Sequence, residues 1–99
     1  MEIDQILTER GSRYGDFASQ AIIAQNIKSA MRHSPNWHSL PNDMKESLEM
    51  VAGKLGRILN GDATYLDSWV DVIGYIQLIV DRLEPRPSGS PDVSARGAG

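Results

Sequence analysis

The feature that most constrains the fold is the spacing of apolar residues, which recur every three to four positions over residues 1–84. This spacing places apolar side chains along one face of an α-helix, whereas a half-buried strand needs an alternating pattern. The chain has no valine-rich alternating run bounded by turn dipeptides. The sequence therefore predicts an all-α fold, a small bundle of three long helices preceded by a short N-terminal helix.

Glycine and aspartate mark the expected limits of the first two helices. We expect the short helix from Ile3 to about Arg10, ending at Gly11, because glycine suits a helix C-terminus. The loop would then cover residues 10–16. We expect Asp16 to be the N-cap of a second helix over residues 17–33.

The third and fourth helices carry similar signals. Proline and acidic residues favour a third helix that starts near residue 41 and ends at Asn60, before Gly61. Thr64 followed three residues later by Asp67 resembles an acidic capping box, which would open a fourth helix over residues 65–84.

Helical periodicity also predicts the core faces. Of the fifteen residues from Trp69 to Leu83, ten are apolar, which is more than one partner helix would cover in a chain of this size. We therefore expect a homo-oligomer, a dimer or larger. The residues expected to face the core are Phe17, Ala21, Ala24, Ile27 and Met31 on the second helix, and Met44, Leu48, Val51, Leu55, Ile58 and Leu59 on the third.

Composition separates the chain into one folded domain, residues 1–84, and a tail, residues 85–99. The tail holds three prolines, three glycines and three serines, and Val93 is its only large aliphatic residue, so we expect it to be disordered. The chain has a net charge of -3, no cysteine and no apolar run long enough for a membrane span. Together with the acidic N-terminus, these features favour a cytoplasmic protein and disfavour nucleic acid and membranes as partners.

Carboxylates form the strongest constellation in the sequence. Glu46 and Glu49 on the third helix, and Asp67 and Asp71 on the fourth, are spaced so that each pair shares a helix face. Antiparallel packing would bring the pairs together, and a divalent cation such as Mg²⁺ would relieve their repulsion. The alternative is that the glutamates form a solvated face, that Asp67 belongs to the capping box, and that Asp71 is an ion-pair partner.

Basic and aromatic residues offer candidate phosphate ligands. Lys54 and Arg57 follow the glutamates on the third helix, and Arg13 and Tyr14 lie between two glycines, where they would clamp a phosphate and stack on a base. The alternatives are ion pairs within the helix for Lys54 and Arg57, and packing over the end of the bundle for Tyr14.

The acidic helices resemble a known enzyme group. Glu46-x-x-Glu49, followed by Asp67-Ser-Trp-Val-Asp71-Val-Ile-Gly-Tyr75-Ile, is similar to the paired ExxE and ExxD helices of the all-α, MazG-like nucleoside triphosphate pyrophosphohydrolases. The chain as a whole resembles a family of small phage and prophage proteins of unassigned function. The matching segments are Arg10-Gly-Ser-Arg-Tyr-Gly-Asp-Phe17, Lys54-Leu-Gly-Arg-Ile-Leu-Asn-Gly-Asp62 and Asp67-Ser-Trp-Val-Asp71.

The enzyme resemblance implies an activity. Glu46, Glu49 and Asp71 would be catalytic and hold Mg²⁺, or Mn²⁺, with Asp67 as a further ligand, and water would cleave a nucleoside triphosphate into monophosphate and pyrophosphate. A phage enzyme of this kind would act in the cytoplasm of the host cell. Ser68 stands where the second motif has glutamate. The alternative is therefore a non-catalytic helical protein that binds a nucleotide or a host protein.

Overall fold

The computed structural model describes residues 2–85, and every regular element within that range is a helix. The four α-helices are α1 (Ile3–Tyr14), α2 (Phe17–Arg32), α3 (Asn42–Asn60) and α4 (Leu66–Leu83), and a single 3-10 turn at Trp37–Ser39 lies between α2 and α3. The prediction of a small all-α bundle with three long helices and a shorter first one is confirmed. The predicted tail lies outside the described residues from position 86 onward.

The C-terminus of α1 differs from the prediction. The helix continues through Gly11 to Tyr14 and ends at Gly15, whose φ is 78°. Gly15 is the only residue with positive φ among those described, and its N–H donates to the carbonyl of Gly11 over 2.9 Å. Gly11 stays helical because a glycine inside a helix costs only about 1 kcal/mol relative to alanine. The predicted helix end near Arg10 and the predicted loop over residues 10–16 are therefore wrong.

The two predicted N-terminal caps have different outcomes. Asp16 caps α2 as expected, since its Oδ2 accepts a hydrogen bond of 3.0 Å from the backbone N–H of Ser19. The capping box at the start of α4 is wrong. Thr64 donates its hydroxyl to Asp62 Oδ1 over 2.6 Å, and the cap position falls on Tyr65, which makes no capping hydrogen bond through its side chain. The Thr64 hydroxyl therefore bonds to the carboxylate of Asp62, which is nearer in the sequence than Asp67.

Helix α3 is the centre of the bundle, with α2 and α4 packed antiparallel on two of its sides. On the α2 side, a Cβ placed on Gly56 would lie 3.1 Å from the carbonyl oxygen of Gln20, so glycine permits this close approach. On the α4 side, the hydroxyl of Ser47 donates to the carbonyl oxygen of Tyr75 over 2.7 Å. Helix α1 lies against the end of this three-helix layer and has no buried residue.

The buried residues of the bundle are mostly small, and this corrects the predicted core. Leu48 and Leu59 on α3 are exposed, as is Phe17 on α2, because α3 is flanked by helices on two sides and small side chains fill the closest contacts. Ala24 and Ile58 are buried as predicted. The buried residues among those described are Ala24, Trp37, Ser47, Ala52, Gly56, Ile58 and Ser68.

Helix α4 leaves much of its apolar surface uncovered. Eight of its large apolar residues are exposed, including Leu66 and Ile73, of which 69% and 65% are exposed. One chain therefore does not cover this helix, in agreement with the sequence prediction. None of the helices in residues 2–85 combines the length and hydropathy that crossing a bilayer requires.

Candidate functional site

The junction between α1 and α2 is hydrogen-bonded to the C-terminus of α3. The side-chain amide of Asn60 donates to the carbonyl oxygens of Tyr14 and Asp16, each over 2.9 Å. The backbone N–H of Asp62 donates to the carbonyl of Arg13 over 2.6 Å. We call this contact between residues 13–16 and residues 60–62 the junction lock.

Glycines make the junction lock possible. A Cβ on Gly61 would overlap the carbonyl oxygen of Arg13 and the Cα of Tyr14, and a Cβ on Gly15 would overlap the carbonyl oxygen of Asn60. Both glycines are needed because the obstructing atoms are backbone and cannot rotate away. Of the two glycines that flank Arg13 and Tyr14 in the sequence, Gly15 therefore has a structural role in the lock, whereas nothing lies within 4 Å of a Cβ on Gly11.

The lock places two tyrosines and two arginines in a row. The Arg57 guanidinium lies 4.7 Å from the ring centroid of Tyr14, and the Arg13 guanidinium lies 4.8 Å from that of Tyr65. The two tyrosine rings meet edge to face, with centroids 6.1 Å apart. These are the distances of cation–π and T-shaped aromatic contacts. The Tyr65 hydroxyl also donates to Asp67 Oδ2 over 3.0 Å, and this hydrogen bond to a carboxylate raises the pKa of the Tyr65 phenol.

A groove runs along α3 beside this row. Its first part is a cavity of about 320 Å³ between the end of α1, the start of α2 and Arg57. Its second part is a cavity of about 120 Å³ between α2 and the middle of α3, and Gln20 and Arg57 line both parts. We call the two cavities together the basic groove. Its charged lining residues are Arg10, Asp16, Lys28, Glu49, Lys54 and Arg57.

The four residues predicted to bind substrate divide between the groove and its surroundings. Lys54, Arg57 and Tyr14 line the basic groove, whereas Arg13 is stacked on Tyr65 and lines neither cavity. Lys28 lines the groove from α2 and was not singled out in the sequence. Nothing in the spacing along the chain marks Lys28 as a ligand, because only the antiparallel packing of α2 on α3 brings it beside Lys54.

The four predicted acidic residues are separated in the structure. Glu49 Oε2 accepts two hydrogen bonds from Arg32, of 3.0 and 3.2 Å, and Asp71 Oδ2 lies 2.9 Å from Lys54 Nζ. Asp67 accepts from the Tyr65 hydroxyl, as described above. Glu46 lines a different cavity between α3 and α4. Three of these four carboxylates thus contact a cation or a phenol of the same chain.

This arrangement bears on the predicted metal site. Carboxylate oxygens suit Mg²⁺ and Mn²⁺ chemically, but the described residues contain no group of three or more histidine, cysteine, aspartate or glutamate side chains that could hold a metal ion. Glu46 and Glu49 line different cavities, one facing α4 and the other α2. As arranged in residues 2–85, the four carboxylates do not form a donor set for a divalent cation.

Comparison with known proteins does not assign the chain to a family. No family model matches it, and neither the curated proteins nor the solved structures include a significant match. The resemblances to the MazG-like pyrophosphohydrolases and to the phage proteins therefore stay predictions drawn from motifs.

Proposed function

We propose that this protein binds a nucleotide in the basic groove. The observation that carries the proposal is the position of Arg57, which lies over the ring of Tyr14 and lines both parts of the groove. An arginine in this position presents hydrogen-bond donors to a phosphate, and the neighbouring tyrosine offers a ring edge to a base.

The charge of the groove supports an anionic ligand. The chain carries a net charge of -3, yet the groove is lined by four cations and two carboxylates. A local positive excess on an acidic protein concentrates the field where a phosphate would lie. Arg10 and Lys28 line the groove from α1 and α2, so the cations around it come from three helices.

The size of the groove is also suitable. The first cavity, at about 320 Å³, lies within the range of small-molecule pockets, and Leu7 and Phe17 add apolar walls beside Tyr14. The phosphates would extend from Arg57 toward Lys54, where the second cavity begins. This direction places the base near the junction lock and the charged end of the ligand along α3.

Pyrophosphohydrolase activity is the second candidate. The observation that favours it is that Glu49 lines the groove and that Asp71 pairs with Lys54, a residue that also lines it. The activity implied is Mg²⁺- or Mn²⁺-dependent release of pyrophosphate. Because the described carboxylates do not form a metal donor set, we favour nucleotide binding.

The other sequence predictions accompany this proposal. A phage or prophage protein that binds nucleotides would act in the cytoplasm of the host cell. We also propose that it works as a homo-oligomer, because α4 leaves apolar surface uncovered. The alternative to nucleotide binding is docking of a host protein on the same helices.

Titration calorimetry with nucleoside mono-, di- and triphosphates tests the proposal. We expect the wild type to bind, and Arg57→Gln to bind about 10- to 100-fold more weakly, because a hydrogen bond to a charged group is worth about 1.5–3 kcal/mol. Lys45→Gln is the matched control, since it removes the same charge from α3 outside both cavities. Equal affinity for the two variants, or no binding by the wild type, would refute the proposed site.

Pyrophosphate release separates the two candidates. The assay compares wild type with Glu49→Gln in the presence of Mg²⁺ or Mn²⁺. Binding without turnover supports the binding function, whereas turnover that is lost in Glu49→Gln supports the hydrolase. If neither binding nor turnover occurs, docking of a host protein becomes the better explanation.

A further inference from the structure

We propose that α4 is the interface of an antiparallel homodimer, in which α4 of one copy packs against α4 of a second copy as a two-stranded coiled coil. The proposal is independent of nucleotide binding, because no residue of this interface lines the basic groove.

The spacing of the exposed apolar residues on α4 carries the proposal. Successive members are separated by three, four, three, four and three positions, which is the heptad pattern of a coiled-coil seam, and it extends over the whole helix. The exposed fraction of each lies between 40% and 69%. We call this set the α4 seam: Leu66, Trp69, Ile73, Ile76, Val80 and Leu83.

The seam lies on α4 beside the face that packs on α3, and its C-terminal members Ile76, Val80 and Leu83 are part-exposed at the edge of an apolar cavity between the two helices. The adjoining side packs on α3, where Ser68 is buried and the carbonyl of Tyr75 accepts the hydroxyl of Ser47. Helix α4 thus has two apolar faces, one used within the chain and one with coiled-coil spacing. A heptad seam accepts the side chains of another helix, so its spacing identifies the partner as helical.

The available area agrees with a stable dimer. Each seam residue exposes on the order of 100 Å², so two copies would bury about 1,200–1,400 Å² in total, which reaches the size range of specific interfaces. An apolar cavity of about 230 Å³ between α3 and α4, lined by Met44 and Leu48, borders the C-terminal half of the seam and extends the same surface.

The chain itself indicates that the second helix is another copy. Residues 86–99 contain a single large aliphatic residue, Val93, so this segment cannot fill six apolar positions. The residues flanking the seam near its centre, Val70 and Gln77, are uncharged and do not repel an identical helix. Two copies related by a twofold axis would each present the same patch to the other.

The sizes of the seam residues favour the antiparallel orientation. In that orientation Trp69 faces Val80 of the second copy, so a large side chain meets a small one, and Ile73 faces Ile76 at the centre. In a parallel pair, Trp69 would face Trp69. The indole is already held in place, since its Nε1 donates to the carbonyl oxygen of Ala63 over 2.8 Å.

Sedimentation equilibrium of the full chain tests the interface. The wild type should be a dimer at micromolar concentration, and Ile73→Lys should raise the dimer dissociation constant at least about 30-fold, the effect of losing a central hot spot. Leu78→Lys is the matched control, because Leu78 lies on the same helix outside the seam and both side chains are 65% exposed. Circular dichroism checks that both variants are folded.

Three results would overturn the interface. They are a monomeric wild type, dissociation of Leu78→Lys to the same degree as Ile73→Lys, and a folded Ile73→Lys that stays fully dimeric. The exposure of Ile73 means that the substitution leaves the monomer core intact, so a monomeric variant reports on the interface.

Cross-linking tests the orientation. The chain has no cysteine, so an introduced one is unique. On mixing Leu66→Cys with Leu83→Cys under oxidising conditions, an antiparallel dimer gives a mixed disulfide, and Leu66→Cys alone gives none. Disulfide formation by Leu66→Cys alone, without the mixed product, would overturn the antiparallel arrangement.

Discussion

The junction lock leads to a sharp prediction for Gly61→Ala. A Cβ at this position overlaps two backbone atoms, the carbonyl oxygen of Arg13 and the Cα of Tyr14, so the end of α3 must move away from the end of α1. Overpacking typically costs about 1–3 kcal/mol, and we expect the upper value because neither obstructing atom belongs to a side chain that can rotate. The movement also weakens the hydrogen bond from Asp62 N–H to the Arg13 carbonyl, which adds about 1 kcal/mol.

The expected loss of unfolding free energy for Gly61→Ala is therefore about 3–4 kcal/mol. For a domain of this size, that lowers Tm by at least about 12 °C. Urea unfolding followed by circular dichroism gives the free energy, and a thermal scan gives Tm. Because the lock places Tyr14 beside Arg57, we also expect weaker nucleotide binding at temperatures where the variant is folded.

Gly74→Ala is the matched control for this prediction. Nothing lies within 4 Å of a Cβ at Gly74, which is in the interior of α4. Alanine should therefore stabilise the protein by about 0.5–1 kcal/mol through the greater entropy that glycine loses on folding. If Gly61→Ala were as stable as the wild type, the steric argument for the lock would be refuted.

Three further predictions concern contacts elsewhere in the bundle. Trp37→Ala should lower the unfolding free energy by about 3–5 kcal/mol in urea titrations, because the indole is buried beside α2; a loss below about 1 kcal/mol would contradict that role. Ser47→Ala should lose about 0.5–1.5 kcal/mol with the hydrogen bond to the Tyr75 carbonyl, and Ser47→Thr is expected to recover little because the added methyl must fit at a buried position. The hydrogen bond from Arg82 holds the pKa of Asp43 below its usual 3.8, so the stability it adds is present above pH 3.8 and is lost as the pH falls through the folded-state value. Melting curves across that acid range should show that Tm depends less on pH in Arg82→Gln than in the wild type. If the two proteins had the same dependence of Tm on pH, the Arg82–Asp43 pair would not be its cause.

The features of this protein that sequence determined are those with local causes. The all-α fold and the limits of α2 and α3 follow from helical periodicity, the Asp16 cap and the glycine after Asn60, each of which acts within a few residues along the chain. The uncovered apolar face of α4 was also predictable, because an excess of apolar residues is a property of one helix alone. The excess of apolar residues did not identify the partner that covers this face.

Tertiary structure decided the features in which distant segments compete for the same group or space. Gly11 and Gly15 are equivalent helix-ending signals in the sequence, but only Gly15 is pressed against Asn60, and there the backbone takes a positive φ. Thr64 was predicted to form a capping box with Asp67, but its hydroxyl donates to the nearer carboxylate of Asp62.

The candidate site shows the same division. The sequence identified Arg57 and Tyr14 as separate candidates, and only the junction lock brings the end of α1 to the end of α3 and stacks the two side chains. The spacing of the acidic residues within each helix predicted that the four carboxylates would come together. The packing instead directs Glu49 to Arg32 and Asp71 to Lys54, because each carboxylate pairs with the cation that the neighbouring helix places nearest to it.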